Sequence, residues 1–196
     1  MDTKAKDKDF MQAYRASDAE GRLKIMMDNY CVFPKLIRKM EKKMQYRIKY
    51  EKDYLRSSHR GELGVRVQTS KMSDPTFEEA ATNIMIETAL KIGKDEDGLL
   101  NGIENAAEYE ADMKILSVMR MDYELLEEII EDLADDDSKW LKEYLSGEKL
   151  LKEIAAELGK SYIAMKKRVA KVKEEIREDM LDCLEMSCGE GCKNVG

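Results

Sequence analysis

Residues 150–173 constrain this chain more than any other stretch, because their apolar positions fall into two short helical patterns separated by one glycine. Leu151, Ile154, Ala155 and Leu158 share one face at the three-and-four spacing of an α-helix. Gly159 follows, the residue type that accepts the left-handed backbone closing a helix. Ser161 is placed to cap a second helix, whose Met165, Val169 and Val172 form a stripe of their own. Ala155 is small where the second helix crosses the first, so the backbones can approach. The spacing predicts a helix-turn-helix, which lays its second helix in the major groove of DNA.

Charge adds a second signal. From 149 to 173 there are eight basic residues against Glu153 and Glu157, a surplus of six positive charges in a chain whose net charge is −7. A basic helix facing away from its own packing stripe suits phosphate contact. The plainer alternative is a solvated amphipathic hairpin within a helical bundle. Charge is segregated elsewhere too: residues 35–60 hold ten Lys or Arg against three acids, and residues 121–137 hold nine acids and no base. Either this patterning builds a nucleic-acid surface, or the acidic and basic stretches pair with each other.

The remaining chain reads as helices. A charged fraction of 38% and only two prolines favour an all-α protein, and 43% hydrophobic residues can build a core for one domain or two small ones. Residues 1–10 are expected to fray. A helix over about 17–29 has Ser17 at its cap and Glu20 in the capping-box position. Pro34 fits the first turn of a basic helix over about 35–56, with Ile37, Met40, Met44, Ile48 and Leu55 inward and Tyr46, Tyr50 and Tyr54 alongside. Its basic face is either merely solvated or a second phosphate-contacting surface. Residues 57–76 read as an irregular loop with a short extended piece at Val65–Gln68. Ser73-Asp74-Pro75-Thr76 turns into a helix over about 77–92, with Phe77, Ala80, Ala81, Ile84, Met85, Thr88 and Ile92 on its inner face. Helices over about 97–119 and 121–133 follow, then an aspartate break at 135–137 capping a helix that carries Trp140, Leu141, Tyr144 and Leu145 and ends at Gly147. The expected organisation is an N-terminal helical pair (1–56), a loop (57–76), central helices (77–119), a helix-turn-helix domain (120–176) and a cysteine-containing tail (177–196).

Few residues argue for chemistry. His59 is the one histidine and has no Cys or acidic partner at ligand spacing. Asp95-Glu96-Asp97-Gly98 lacks the remaining ligands of a calcium loop and reads as a capped turn. Asp135, Asp136 and Asp137 with Glu131 and Asp132 could hold a divalent cation, but acids at a helix start are favoured by the macrodipole alone. Cys183, Cys188 and Cys192 are one ligand short of a closed zinc site, with Cys31, Asp182 or a second chain as the fourth. With a buried-looking Cys31 and three tail thiols, the cysteines form no even disulfide framework and suit a reducing, intracellular setting. Lys and Asp alternate over Met1–Asp9 in place of a signal peptide, and no run approaches the ~20 apolar residues of a membrane helix. The expectation is a cytoplasmic protein without catalysis, cofactor or metal.

Residues 121–175 also resemble the C-terminal DNA-binding region of bacterial sigma factors. The matching order is the leucine-rich acidic helix (Leu125, Leu126, Ile129, Ile130, Leu133), Trp140 and Tyr144, Gly147, Glu153-Ile154-Ala155, Leu158-Gly159, Ser161-Tyr162 and Met165-Lys166-Lys167-Arg168-Val169. Upstream, Asn29-Tyr30 before a basic helix, then Gly64–Ser70 and Ser73-Asp74-Pro75-Thr76, are similar to the ArpU/RinA-type phage and prophage transcriptional regulators. The likeness spans about 19–176. It implies a regulator that binds double-stranded promoter DNA through Lys160, Ser161, Tyr162, Lys166, Lys167 and Lys171, with Ser161 and Tyr162 nearest base edges and the lysines on phosphates. Ile163 either touches a thymine methyl or packs on the first helix, and Arg168 either faces DNA or pairs with Glu153. The acidic middle region would serve RNA polymerase contact or homo-oligomer formation. Two rival readings are a helical adaptor for polymerase or a sigma factor, and a metal- or redox-sensing regulator using the tail cysteines.

Overall fold

The computed structural model describes residues 3–60 and 75–188. Over these residues it contains helices and no strand: α1 (Thr3–Ala16), α2 (Ala19–Asp28), α3 (Phe33–Arg60), α4 (Pro75–Ile92), α5 (Ala106–Asp132), α6 (Asp135–Leu145), α7 (Leu151–Glu157) and α8 (Tyr162–Cys188). The protein is all-α, as the apolar spacing predicts. None of the described helices is long and apolar enough to cross a membrane. The chain divides into two compact units, Met1–Leu36 with Met119–Gly196, and Ile37–Val118.

In the first unit residues 3–10, expected to fray, are helical. α1 buries Met11 and Tyr14, and the Phe33 ring sits 6.0 Å from Phe10, 5.7 Å from Tyr14 and 5.5 Å from Tyr123, so an aromatic cluster anchors the segment. The cap of α2 is Asp18, whose carboxylate accepts the Gly21 N–H at 2.8 Å; Ser17 instead donates its hydroxyl to the Ala13 carbonyl at 2.7 Å. Cys31 is exposed, not buried, because it lies on the turn between α2 and α3. Beneath the aromatic cluster lies a polar group. The Tyr14 hydroxyl donates to the Asp122 carboxylate at 2.7 Å, and the Arg22 guanidinium lies 3.7 Å from the same oxygen and 5.4 Å from the Tyr14 ring centre. All three side chains are buried.

α8 packs along α2 and α7. Its inward stripe is Met165, Val169 and Val172, as the spacing predicts, and it continues through Ile176, Met180 and Leu184. The helix therefore runs past 176 to Cys188, where the sequence suggests a tail. An ion pair between Arg177 and Glu20 ties it to α2.

In the second unit α3 buries Ile37, Met40, Met44 and Ile48 and continues through Ser57, whose hydroxyl donates back to the Tyr54 carbonyl at 2.8 Å. A serine satisfied within the helix does not end it, so 57–60 are helical instead of loop. α4 turns a different face inward from the one expected. Ile86, Ala89 and Leu90 are buried, whereas Phe77, Ile84 and Ile92 are exposed. A Cβ on Gly93 would stand 2.7 Å from the Ser117 Cβ, and the Ser117 hydroxyl donates to the Lys91 carbonyl at 3.1 Å, so the end of α4 lies close against α5. The Asp95 carboxylate accepts the Leu99 and Leu100 N–H groups at 2.8 and 2.7 Å, making 95–100 the capped turn expected of it. The turns reach to 105, and α5 then runs unbroken from 106 to 132, replacing two expected helices with one. The Tyr109 hydroxyl donates to Glu51, and the Arg47 guanidinium lies 4.8 Å from its ring centre. The Val65–Gln68 and Ser73–Asp74 readings lie outside the described residues.

Candidate nucleic-acid interface

The candidate site is the start of α8 and the turn that presents it. α7 is opened by the Glu153 carboxylate, which accepts the Leu150 N–H at 2.7 Å, and it buries Ile154 and Ala155. It closes where the Lys160 N–H reaches the Ala155 carbonyl at 2.9 Å, with Gly159 at φ 61°. A Cβ there would meet nothing within 4 Å, so the glycine is required by backbone conformation and not by space. Ser161 caps α8: its hydroxyl accepts the Ala164 N–H at 3.2 Å. That leaves the serine proton free to be donated, beside the positive end of a long helix dipole.

All six residues expected at DNA are exposed: Lys160, Ser161, Tyr162, Lys166, Lys167 and Lys171. Met165 and Val169 point the opposite way into the core, which sends Lys166, Lys167 and Lys171 outward. Ile163 is 69% exposed, so of its two expected positions the one packed on α7 is excluded.

Arg168 does not pair with Glu153. Its Nε and Nη2 donate to the two Asp137 carboxylate oxygens at 2.5 and 2.7 Å, a bidentate pair that joins α8 to the first turn of α6. The Trp140 indole N–H donates to the same carboxylate at 2.7 Å. Burial pushes the Asp137 carboxyl up, and the hydrogen bonds from Arg168 and Trp140 with the Arg168 charge overcome it, leaving the group below the usual carboxylate range. Asp137 thus lies inside the first turn of α6 rather than capping it; the cap position is Ala134. Among the described residues no group of three or more His, Cys, Asp or Glu could hold a metal ion. Cys183 is exposed on α8, Cys188 is the last residue of that helix, and Cys192 lies outside the described residues.

Structure also thins the positive charge counted in the sequence. Lys149 bridges Glu143 and Glu157 at 3.1 and 2.7 Å, and Lys173 lies over the Tyr144 ring at 5.7 Å. Lys171 reaches Glu175 at 3.1 Å while staying mostly in solvent, where such a pair is weak and readily exchanged for a phosphate. Lys152, Lys160, Lys166 and Lys167 remain on the surface. Sequence reasoning missed the Arg168–Asp137 clamp, since its partners are 31 residues apart. No family model, curated protein or solved structure matches this chain.

Proposed function

We propose that this protein is a sequence-specific DNA-binding transcription regulator acting at promoters, of the phage- or prophage-derived ArpU/RinA type, with α7 and α8 as a sigma-like helix-turn-helix. The observation that supports it most is the first three turns of α8. Their inner side is committed to the core and to the Asp137 clamp, and their outer side is a set of solvent-facing lysines with Ser161, Tyr162 and Ile163 at the helix start. Ser161 and Tyr162 would meet base edges; Lys160, Lys166, Lys167 and Lys171 would neutralise phosphates. RNA polymerase and a second copy of the chain are the further partners this reading implies. Electrophoretic shifts of promoter fragments at several salt concentrations test it. Binding should weaken as salt rises, and the Lys166→Glu, Lys167→Glu double variant should lose it, since each phosphate contact contributes about 0.9 to the logarithmic salt slope. A wild-type protein that shifts no fragment, or a double variant that binds as well, refutes the reading.

A further inference from the structure

A second surface, on α3, combines exposed rings with positive charge. Tyr46, Tyr50 and Tyr54 are 72%, 65% and 65% exposed. They recur every four residues on the side opposite the buried Ile37–Met40–Met44–Ile48 stripe. Arg38 and Lys42 are exposed beside them, and Lys49, half-buried, lies on the same side of the helix. Large rings held in water on a folded surface mark a place of contact. We propose that this face of α3 binds single-stranded nucleic acid, with the tyrosine rings stacking on bases and the basic row tracking the phosphates.

Three features select that occupant. First, the exposed residues from Arg38 to Tyr54 include no aliphatic side chain: the rings are interleaved with Arg and Lys, and Asp53 is the acid among them, so a greasy protein surface finds little there. Second, a symmetric second copy would set the basic row against itself, which is repulsive. Third, a duplex hides its base faces, whereas a single strand offers both a π-face and a phosphate at every step. Successive rings are about 6 Å apart along the helix axis, wider than the ~3.4 Å step of a stacked strand, so a strand that opens its stack can set one base on each ring.

Fluorescence anisotropy of a labelled oligothymidylate of about 15 nucleotides, with an abasic strand of equal length as comparison, tests this on the full chain. The intact strand should bind at least about fivefold more tightly than the abasic one, the lower end of what stacking one base contributes. Tyr46→Ala, Tyr50→Ala, Tyr54→Ala together should weaken binding at least about tenfold. The corresponding three Phe substitutions should retain it, because the ring faces persist. Lys42→Glu with Lys49→Glu should flatten the salt slope by about 1.4, and Lys166→Glu with Lys167→Glu should leave single-strand affinity within about twofold. The proposal is overturned if neither strand binds, if the abasic strand binds equally, or if the Phe variant loses as much as the Ala variant. Circular dichroism of each variant should match the wild type, as none of the substituted side chains belongs to the buried core.

Discussion

Removing the Arg168 side chain should destabilise the first unit without taking a contact away from DNA. The guanidinium makes two charge-assisted hydrogen bonds, at 2.5 and 2.7 Å, to a carboxylate that also accepts from Trp140. Hydrogen bonds to charged groups contribute roughly 1.5–3 kcal/mol each when well shielded. The Arg168 side chain is 40% exposed, so solvent screens the pair, and a net loss of about 2 kcal/mol for Arg168→Ala is the reasonable scale. In a chain of this length that lowers the melting temperature by about 4–8 °C. A double-mutant cycle with Asp137→Ala isolates the pair and should return a coupling of at least about 1 kcal/mol at pH 7. The coupling needs an ionised Asp137, whose folded-state carboxyl sits below its ordinary value of 3.8. It is therefore fully present above the unfolded value and is lost as pH falls through the folded one. The same variant answers a second question. An arginine on phosphate would contribute about 0.9 to the salt slope of DNA binding, whereas one engaged by Asp137 contributes nothing to it. Additive single-variant losses, or an unchanged melting temperature with a slope reduced by about 0.9, would refute the clamp.

Other outcomes follow from the backbone and the buried polar group. Gly159→Ala should cost about 1–2 kcal/mol in urea unfolding from the left-handed backbone alone, since its Cβ meets nothing; a loss beyond about 4 kcal/mol would mean that space, not conformation, demands the glycine. Burial pushes the Asp122 carboxyl above its ordinary value of 3.8, against the Tyr14 hydrogen bond and the Arg22 charge. The folded protein then holds this proton to higher pH than the unfolded chain does. Its contribution to stability is full below the unfolded value and is lost as pH rises through the folded one. The melting temperature of the wild type relative to Asp122→Asn should fall as pH rises from about 4; a difference that stays flat or rises would show that the Arg22 and Tyr14 interactions dominate burial.

The second helix of the motif was legible because its information is local. Gly159, Ser161 and the Met165–Val169–Val172 spacing each specify backbone or burial within a turn or two, and all three have the expected structural role. Pro34 likewise stands in the first turn of α3. What failed was information set by distant partners. α4 has two apolar stripes, and the one that is buried, Ile86, Ala89 and Leu90, is set by packing against elements distant in sequence, as where Gly93 at its end meets Ser117 of α5. Arg168 had Glu153 as a neighbour in sequence, but the fold brings it Asp137 in a geometry that satisfies both carboxylate oxygens. The sequence turns from mixed to acidic at about 121, yet one helix runs through that point. A change in charge does not break a helix, because Arg120 and Met121 have neither the missing N–H of proline nor the free backbone of glycine.

The charge order along α8 restricts how a polyanion can meet it. From Tyr162 to Lys173 its charged residues are Lys166, Lys167, Arg168, Lys171 and Lys173; from 174 onward come Glu174, Glu175, Glu178, Asp179, Asp182 and Glu185, with Arg177 occupied by Glu20 and Glu174. The basic part is 12 residues long, about 18 Å of helix. Attraction to phosphate is strongest at its N-terminal end, where the helix dipole and the capped Ser161 add to the lysines, and turns to repulsion within one further turn. A duplex lying parallel to the whole of α8 would place its backbone against the acidic half. A duplex that takes only the first three turns into its groove avoids that cost, and the major groove, about 12 Å wide, accommodates a helix end of that size. Within the protein the acidic half meets α2, where Arg177 bonds to Glu20. One continuous helix thus carries two electrostatic environments, and if the proposed function holds, Lys173 would mark the limit of the stretch that attracts phosphate.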